Sequence, residues 1–276
     1  MKKAKSNFLI TKIEFKKKEI ILHYLKDEEE KEISLFPTVY SDFFLYEGKE
    51  LSETELKDIQ KKNAYAKSLQ IAYNYIAKKE YSVADLRKKL QLKNIPETQI
   101  LSIIDTLLEQ NLLNDRRYAE DVVEIFQARY YGKNYIIKKL QEDGISSSII
   151  SSFIFDNEKE KEKMDTLLPL FLRKHEKDNQ RMKKEHLYRE FLKYGYDSEM
   201  IQNILSHVEN SSMEDEMEKC RKELQKYQVH YQKKYSNYEY HKRIIATLMR
   251  KGFSYDIIKQ VMESVNDGTD ESDEMD

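Results

Sequence analysis

The sequence predicts a mainly α-helical chain, in which four tandem three-helix repeats form an elongated array behind a small N-terminal β-meander. Three observations predict this fold. Charged residues make up 36% of the chain, with only 6 Gly and 3 Pro, and this composition favours helices because straight-chain residues lose little rotamer freedom in them. One motif recurs four times, at intervals of 50, 51 and 57 residues. Near the N-terminus, in contrast, apolar and polar side chains alternate as they do in strands.

The N-terminal segment, residues 1–51, carries the strand pattern. Its apolar residues are separated by charged turns, which predicts a meander of three strands over Thr11–Phe15, Ile20–Tyr24 and Ile33–Phe36. Pro37 is expected to end the meander. Val39–Glu47 is predicted to be a short helix that Gly48 stops.

The recurring motif marks a helix end. An apolar residue is followed four positions later by Gly or Asn, then at once by a second apolar residue, and by Ile five positions further on. The Gly or Asn is expected to end a helix in the left-handed conformation, which crowding by the β-carbon disfavours in other residues. These four helix-ending residues are Asn94, Gly144, Gly195 and Gly252. Each one predicts a second and a third helix joined by a tight turn.

Caps and apolar spacing predict the other helices of each repeat. The residues expected to start or cap the third helices are Pro96, Ser146, Asp197 and Ser254. Within those helices an Ile is followed three and four residues later by an apolar pair, as helical spacing requires: Ile100 with Ile103/Ile104, Ile150 with Phe153/Ile154, Ile201 with Ile204/Leu205 and Ile258 with Val261/Met262. Longer first helices are predicted over Asn63–Lys79, Asp115–Tyr130, Glu158–His175 and Met213–Lys233. Capping boxes are predicted at Ser52/Glu55, Ser82/Asp85 and Ser236/Glu239.

These elements divide the chain into an N-terminal part, four repeats and a tail. The predicted boundaries are 1–51 for the meander with its short helix, then 52–113, 114–156, 157–209 and 210–265 for the repeats. The last segment, 266–276, has six acidic residues and no basic ones, which predicts a disordered acidic tail.

Several classes of chemistry lack their sequence patterns. The six glycines form no phosphate-binding loop, and the six histidines have no metal-ligand spacing, so His175 and His186 are interpreted as solvated surface. The single cysteine, Cys220, excludes an intramolecular disulfide and is interpreted as an ordinary helix residue, although its basic neighbours could lower the thiol pKa. No signal peptide or membrane span is recognisable, so a cytoplasmic protein is expected. The sequence therefore predicts a binding protein without enzymatic activity, cofactor or metal.

The fourth repeat departs from electrical neutrality. Between residues 219 and 251, ten basic residues face only two acidic ones, and five tyrosines are interleaved. Basic groups bind phosphates and aromatic rings stack on bases, so this pattern is typical of single-stranded nucleic-acid binding. The candidate contact residues are Lys219, Arg221, Lys222, Lys226, Lys233, Lys234, Tyr238, Lys242, Arg243, Arg250 and Lys251.

Two simpler interpretations compete with this one. A run of charges on a helix is usually a solvated face, and helix periodicity favours core packing over base stacking for Tyr227 and Tyr231. Helix pairs joined by a tight turn also suggest a helix-turn-helix that reads duplex DNA. That reading is disfavoured because the third helix of the second repeat, Ser147–Ile154, contains no basic residue.

Three stretches of the chain resemble the RecX family of recombinase regulators. They are Tyr81–Leu90, Leu112–Ala119 and the segment from Arg129 to Ile145. The fourth motif resembles the closing repeat of longer family members. Asp85 replaces a commoner Glu, Lys139 stands where many members have Glu, and Asn134 replaces a frequent second Gly. The signature residues are Leu86, Leu90, Asp115, Tyr118, Ala119, Arg129, Gly132, Leu140, Gly144, Gly195 and Gly252.

The resemblance implies a non-catalytic modulator of the RecA recombinase. Such a protein lies along the groove of the filament that the recombinase forms on single-stranded DNA, and limits filament extension, ATPase activity and strand exchange. The expected partners are therefore the recombinase filament and single-stranded DNA, bound directly or through the filament by a monomer. The assignment of these contacts to the basic fourth repeat rests on its charge and not on the family. The alternative is a free-standing module that binds single-stranded nucleic acid.

The elongated array gives the first testable prediction. A compact chain of this length has a radius of gyration near ~19 Å, and a linear stack of repeats must exceed it because each repeat contacts only its neighbours. Small-angle X-ray scattering of the monomer is expected to give a clearly larger value. A measured radius equal to the compact value would contradict the array.

Overall fold

A computed structural model describes residues 8–270 of the chain, without the side chains of 237 and 266–270. Within this part the protein has thirteen helices and one four-stranded antiparallel sheet, so the mainly helical prediction is confirmed. The chain divides into two compact units. Among the described residues, the first contains 8–120 together with 142–146, and the second contains the remainder.

The sheet contains the predicted meander and one additional strand. Strands β1 (Phe8–Phe15), β2 (Ile20–Lys26) and β3 (Glu29–Leu35) pair in sequence, and β4 (Glu50–Leu51) adds to the free edge of β1. The sequence did not indicate β4, because two residues are too few to show alternation. The sheet buries Ile10, Leu22 and Leu35 in a core with the start of the first long helix.

Helix α1 (Pro37–Asp42) differs from the prediction of a helix over Val39–Glu47. Proline lacks the N–H that the first turn of a helix leaves unbonded, so Pro37 starts the helix as well as following the last meander strand. The helix stops at Asp42, and Phe44 then adopts a positive φ of 47°.

The first repeat consists of α2 (Glu53–Ile76), α3 (Val83–Gln91) and α4 (Glu97–Glu109). The capping box is present as predicted, because Ser52 accepts from the Glu55 amide while the Glu55 carboxylate accepts from the Ser52 amide. Helix α2 therefore begins ten residues before the predicted Asn63. Its buried Asn63 amide bonds to the backbone of Ser34 and Phe36, which fixes the helix to the end of the sheet.

The second repeat consists of α5 (Asp115–Ala128), α6 (Lys133–Glu142) and the short α7 (Ser147–Ile150). The predicted pairing of Ile150 with Phe153 and Ile154 on one helix is wrong, because α7 ends at Ile150 and Ile154 is 92% exposed. The serines explain the early end. Ser151 and Ser152 turn their hydroxyl groups to backbone carbonyls of the preceding turn, which competes with continued helix formation.

The third repeat consists of α8 (Asn157–Lys174), α9 (Gln180–Tyr194) and α10 (Ser198–Ser206), and the fourth of α11 (Met213–Gln232), α12 (Asn237–Arg250) and α13 (Tyr255–Asp270). The third repeat buries a core around Phe171 and Phe191, and the fourth buries a core around Leu248 and Ile258.

Two details of the fourth repeat differ from the prediction. Ser236 precedes α12, but its side chain makes no capping hydrogen bond, so the predicted box with Glu239 is wrong. Helix α13 continues to Asp270, so residues 266–270 of the predicted disordered tail are helical. Once the apolar face of α13 packs against the core, the helix can extend past its last packed residue without further contacts. The rest of the predicted tail, 271–276, lies outside the described residues.

The four helix-ending residues adopt the predicted left-handed conformation. Their φ angles are 56° at Asn94, 77° at Gly144, 90° at Gly195 and 101° at Gly252. Glycine and asparagine tolerate this region where β-branched and bulky residues do not. The motif found in the sequence therefore has the local cause that was inferred for it.

One hydrogen bond recurs between the second helices of successive repeats. The residue that precedes the second helix of one repeat donates to the carbonyl just before the helix-ending glycine of the next repeat. The three bonds are Ser82 Oγ to Asp143 O at 2.6 Å, Gly132 N to Tyr194 O at 2.8 Å, and Asn179 Nδ2 to Lys251 O at 2.8 Å. We call this contact the repeat joint.

A carboxylate completes each repeat joint. The first backbone amide of the second helix donates to an acidic side chain in the first turn of the next repeat's first helix. These bonds are Val83 N to Asp115 Oδ1 at 2.8 Å, Lys133 N to Glu160 Oε2 at 2.9 Å, and Gln180 N to Glu216 Oε1 at 2.8 Å. An anion at a helix N-terminus satisfies an amide without an intrahelical acceptor and interacts favourably with the helix dipole.

The glycines leave room for this contact. A Cβ on Gly144 would lie 2.3 Å from the Ala84 Cβ, and a Cβ on Gly195 would lie 2.3 Å from the Tyr135 nitrogen. A Cβ on Gly252 would lie 2.9 Å from Asn179 Oδ1. The second helix of the first repeat ends at Asn94. Among the described residues no repeat lies before this one, so no repeat joint forms at Asn94 and the position needs only the left-handed backbone.

The repeat joint predicts a specific pattern of destabilisation. Gly144→Ala should lower the free energy of unfolding by about 2–4 kcal/mol, since it combines a positive φ with overpacking against Ala84. Gly48→Ala is the matched control, because Gly48 has φ +90° but no atom within 4 Å of the added Cβ, and it should lose only about 1 kcal/mol.

Urea denaturation followed by circular dichroism measures both variants. Ala84→Gly removes the clashing Cβ, so adding it to Gly144→Ala should recover the overpacking part of the loss. Equal losses in the two single variants, or no recovery in the double variant, would contradict the close approach.

Candidate nucleic-acid interface

The structure distributes the candidate basic residues over three parts of the fourth repeat. Helix α11 carries Lys219, Arg221, Lys222 and Lys226. The turn after α11 carries Lys233 and Lys234, and α12 with the residue following it carries Lys242, Arg243, Arg250 and Lys251.

The basic side chains of α11 form ion pairs with carboxylates. Lys219 Nζ lies 2.8 Å from Asp215 Oδ2, and Glu218 lies 2.9 Å from Arg221 and 3.3 Å from Lys222. The charge count that begins at residue 219 omits both of these acids, so it overstates the positive charge of this surface. Three- and four-residue spacings place the partners on one helix face.

Glu223 forms ion pairs with two further basic side chains and so links two helices of the repeat. Its carboxylate pairs with Lys226 and lies 3.2 Å from Lys251 Nζ, which ties the end of α12 to α11. Burial favours a higher pKa for Glu223, but the hydrogen bonds from the two lysines outweigh burial and hold its pKa below the ordinary value. The same bond to Glu223 raises the pKa of Lys251.

The remaining basic side chains lie near the α11–α12 turn or on α12. Among the described residues, Lys233, Lys234, Lys242 and Arg250 have no carboxylate partner within ion-pair distance. Arg250 instead bonds to the Ala246 carbonyl and the Thr247 hydroxyl.

An aromatic ring organises the charges at the turn. The Tyr235 ring centroid lies 4.2 Å from the Arg243 guanidinium carbon and 5.7 Å from Lys234 Nζ. Cations over an aromatic face are attracted by its quadrupole, so Tyr235 holds both side chains at the surface. Arg243 also faces Glu239 at a long 3.9 Å. We define the α11–α12 patch as Lys233, Lys234, Tyr235, Tyr238, Lys242 and Arg243.

The tyrosines separate into core and surface positions. Tyr227 and Tyr231 pack against the core of the fourth repeat, as helix periodicity favoured. The Tyr231 hydroxyl also lies 3.4 Å from the Thr247 hydroxyl. Tyr238, in contrast, is 80% exposed. Within the patch it is the ring available for stacking.

Nine of the eleven signature residues lie in cores or repeat joints. Leu86, Leu90, Ala119 and Leu140 are fully buried, and five others form the repeat joints: Asp115, Gly132, Gly144, Gly195 and Gly252. Tyr118 donates to the buried Asp143 carboxylate at 2.9 Å, and the Arg129 guanidinium lies 5.9 Å from the Phe126 ring. Burial raises the pKa of Asp115, partly offset by the Val83 amide.

Comparison with known proteins decides the family. The regulatory protein RecX of Lactococcus lactis subsp. cremoris strain SK11 is 31% identical over 245 residues, which cover 86% of this chain and 91% of that protein. The chain belongs to the RecX family. The regulatory protein RecX of Staphylococcus saprophyticus is 29% identical over 268 residues, covering 95% of this chain and 98% of the relative. These RecX relatives are named regulatory proteins, which supports a role other than catalysis.

Two further comparisons concern the fold. The family model for the third three-helix domain of RecX matches residues 214–262, which contain the whole α11–α12 patch. A crystal structure of a regulatory protein RecX superposes with a TM-score of 0.59 at 23% identity, covering 72% of this chain and 100% of that chain. At this identity the likeness concerns the fold. Across the described residues, no helix is both long and apolar enough to cross a membrane.

Asn134 and Lys133 both contact Asp197. Asn134, which stands where the resemblance led us to expect a second Gly, donates to Asp197 Oδ1 at 2.7 Å, and Lys133 Nζ lies 2.6 Å from Asp197 Oδ2. Asp197 was expected to cap α10, but its side chain makes no capping bond there and faces the second repeat instead. The hydrogen bond from Lys133 is the largest cause that lowers the pKa of Asp197.

Two other sequence interpretations are settled by burial and geometry. Cys220 is buried, and burial raises its pKa to about 11, so the basic neighbours do not activate the thiol. His175 and His186 are not separate solvated residues, because both rings contact the Asp178 carboxylate. Sequence spacing did not indicate this cluster, because its members lie in a turn and a helix that are brought together only by tertiary packing.

Proposed function

We propose that this chain is a non-catalytic modulator, and specifically a negative regulator, of the RecA recombinase. It binds the RecA–single-stranded DNA filament as a monomer in the cytoplasm, and limits filament extension, ATPase activity and strand exchange in DNA repair and recombination. The observation that carries the proposal is the 31% identity to a regulatory protein RecX over 86% of this chain.

The repeated architecture supports binding to a filament. A filament presents the same protein surface many times, and a chain of small repeats can make many modest contacts to successive copies. Linked contacts raise the overall affinity without any single strong site, because each later contact forms intramolecularly.

The α11–α12 patch supports a contact with DNA in the filament. Its exposed lysines have no carboxylate partners among the described residues, so phosphates would not have to displace one. Lysine and arginine neutralise phosphates, and an exposed tyrosine can stack on an unpaired base. Tyr238 supplies that ring. We therefore place the DNA contact at the patch and not along the ion-paired face of α11.

The proposal predicts an effect on ATP hydrolysis. Adding the full chain to preformed RecA filaments on single-stranded DNA should lower the steady-state ATPase rate, because the bound chain restrains the filament. A coupled ATPase assay measures the rate, with RecA lacking DNA as the background. An unchanged rate at saturating chain would contradict regulation of RecA.

The second candidate is a free-standing module that binds single-stranded nucleic acid. It is favoured by the basic side chains of the patch that have no carboxylate partner among the described residues. A triple variant, Lys233→Ala, Lys234→Ala and Lys242→Ala, should weaken binding to labelled single-stranded DNA in fluorescence anisotropy. Four phosphate contacts predict a slope of log affinity against log salt of about −2.8, falling to about −0.7 in this variant.

The matched control removes three lysines that already have carboxylate partners: Lys219→Ala, Lys222→Ala and Lys226→Ala. Its net charge equals that of the patch variant, so it should retain the slope if the patch makes the contacts. Equal losses in the two triple variants would contradict the patch. DNA binding together with an unchanged RecA ATPase would support the free-standing module.

A further inference from the structure

We infer that His175, Asp178 and His186 form a binding site for a divalent transition metal ion, with zinc(II) as the best chemical fit. His175 immediately follows α8, Asp178 lies in the turn between α8 and α9, and His186 lies in the second turn of α9. The site therefore belongs to the third repeat alone. It is independent of the proposed action on RecA.

Three ligand atoms converge in this cluster. The Asp178 Oδ2 atom lies 2.6 Å from His186 Nδ1 and 3.0 Å from His175 Nδ1. One ligand atom from each residue lies within 4.8 Å of the other two, and the imidazole centroids are 4.9 Å apart. Two imidazole nitrogens and one carboxylate oxygen are a donor set that suits zinc, with the fourth position open to solvent.

The far side of the His175 ring supplies a second, independent observation. Its Nε2 atom is buried without a hydrogen-bond partner and lies 3.6 Å from Glu190 Oε1. A nitrogen lone pair that faces a carboxylate is unfavourable, so this nitrogen should carry the proton. A neutral ring protonated at Nε2 has its lone pair on Nδ1, which faces Asp178.

That tautomer presents a metal-binding lone pair at the centre of the cluster. A metal ion there would coordinate His175 Nδ1 and Asp178 Oδ2 together, in place of the hydrogen bond that joins the two atoms when Nδ1 carries the proton. The same ion would coordinate His186. Glu190 then acts as the outer carboxylate that accepts from a metal-bound histidine, which fixes the ring and strengthens its basicity.

Hydrogen bonding without a metal is the competing explanation. Each Nδ1 would then carry a proton and donate it to Asp178 Oδ2, which can accept both bonds. His175 Nε2 would be left facing Glu190, which already pairs with Lys174. The two explanations differ in whether the cluster binds zinc.

Metal binding would order the turn that leads into a repeat joint. Asp178 is followed by Asn179, whose side chain accepts from the Met182 amide at 2.9 Å and donates to Lys251 O at 2.8 Å. Ligands on both sides of this turn would restrict its motion, and any ion that binds only the folded state raises thermal stability.

Isothermal titration of the EDTA-treated full chain with zinc chloride near neutral pH tests the site. The expected result is one zinc ion per chain, together with a higher melting temperature. His175→Ala and His186→Gln should each weaken binding at least about 100-fold, since a three-ligand site loses one ligand. Glu190→Gln should weaken binding about tenfold, within the range typical of outer carboxylates.

The control is His230→Ala, which removes an exposed histidine of α11 that lies outside the cluster. It should leave zinc affinity unchanged, and circular dichroism checks that every variant is folded. Failure of the wild-type chain to bind zinc would overturn the site and favour hydrogen bonding without a metal. Binding that persists in a folded double variant of His175 and His186 would also overturn it, because the zinc would then be held elsewhere.

Discussion

The close approach between the second helices of successive repeats is the constraint on which the helical part of this structure depends. A helix start supplies two donors, and the next repeat supplies a backbone carbonyl and a carboxylate to receive them. Both bonds form only if the helix-ending residue lacks a Cβ and accepts a positive φ, and glycine alone meets both conditions. The same joint occurs three times with different donors: a serine hydroxyl, a glycine amide and an asparagine amide.

The repeat joint also separates structural from functional residues. Nine of the eleven signature residues form cores and joints, so their chemistry is used within the molecule. Most basic side chains of α11 and of the end of α12 also have a partner within the molecule, because they form ion pairs with Asp215, Glu218 and Glu223. In the α11–α12 patch, in contrast, cations surround Tyr235 and Tyr238 is exposed. The patch is therefore our proposed partner surface, because ion pairing leaves fewer free cations in the fourth repeat than its charge count indicates.

The sequence predicted the features that local periodicity determines. The four helix ends, the capping box at Ser52 and the meander follow from spacing and backbone preference, and all are present. It did not predict contacts between residues far apart in the chain. Strand β4 exists because it pairs with β1, and the acids of the joints look like any others in an acidic first turn. The ion pairs of the site and the His175 cluster also depend on tertiary packing. The early end of α7 reflects serine side chains competing with the backbone, which apolar spacing does not reveal.

Hydrogen exchange at the start of α6 tests the repeat joint most directly. The amides of Gly132, Lys133 and Asn134 stand at a helix N-terminus, where no intrahelical carbonyl is available to them, and they donate to Tyr194 O, Glu160 Oε2 and Gly195 O. Their protection therefore reports the joint and not the helix. We expect these three amides to exchange nearly as slowly as that of Leu140 inside α6. Exchange at the rate of an unstructured peptide, with Leu140 still protected, would contradict the joint.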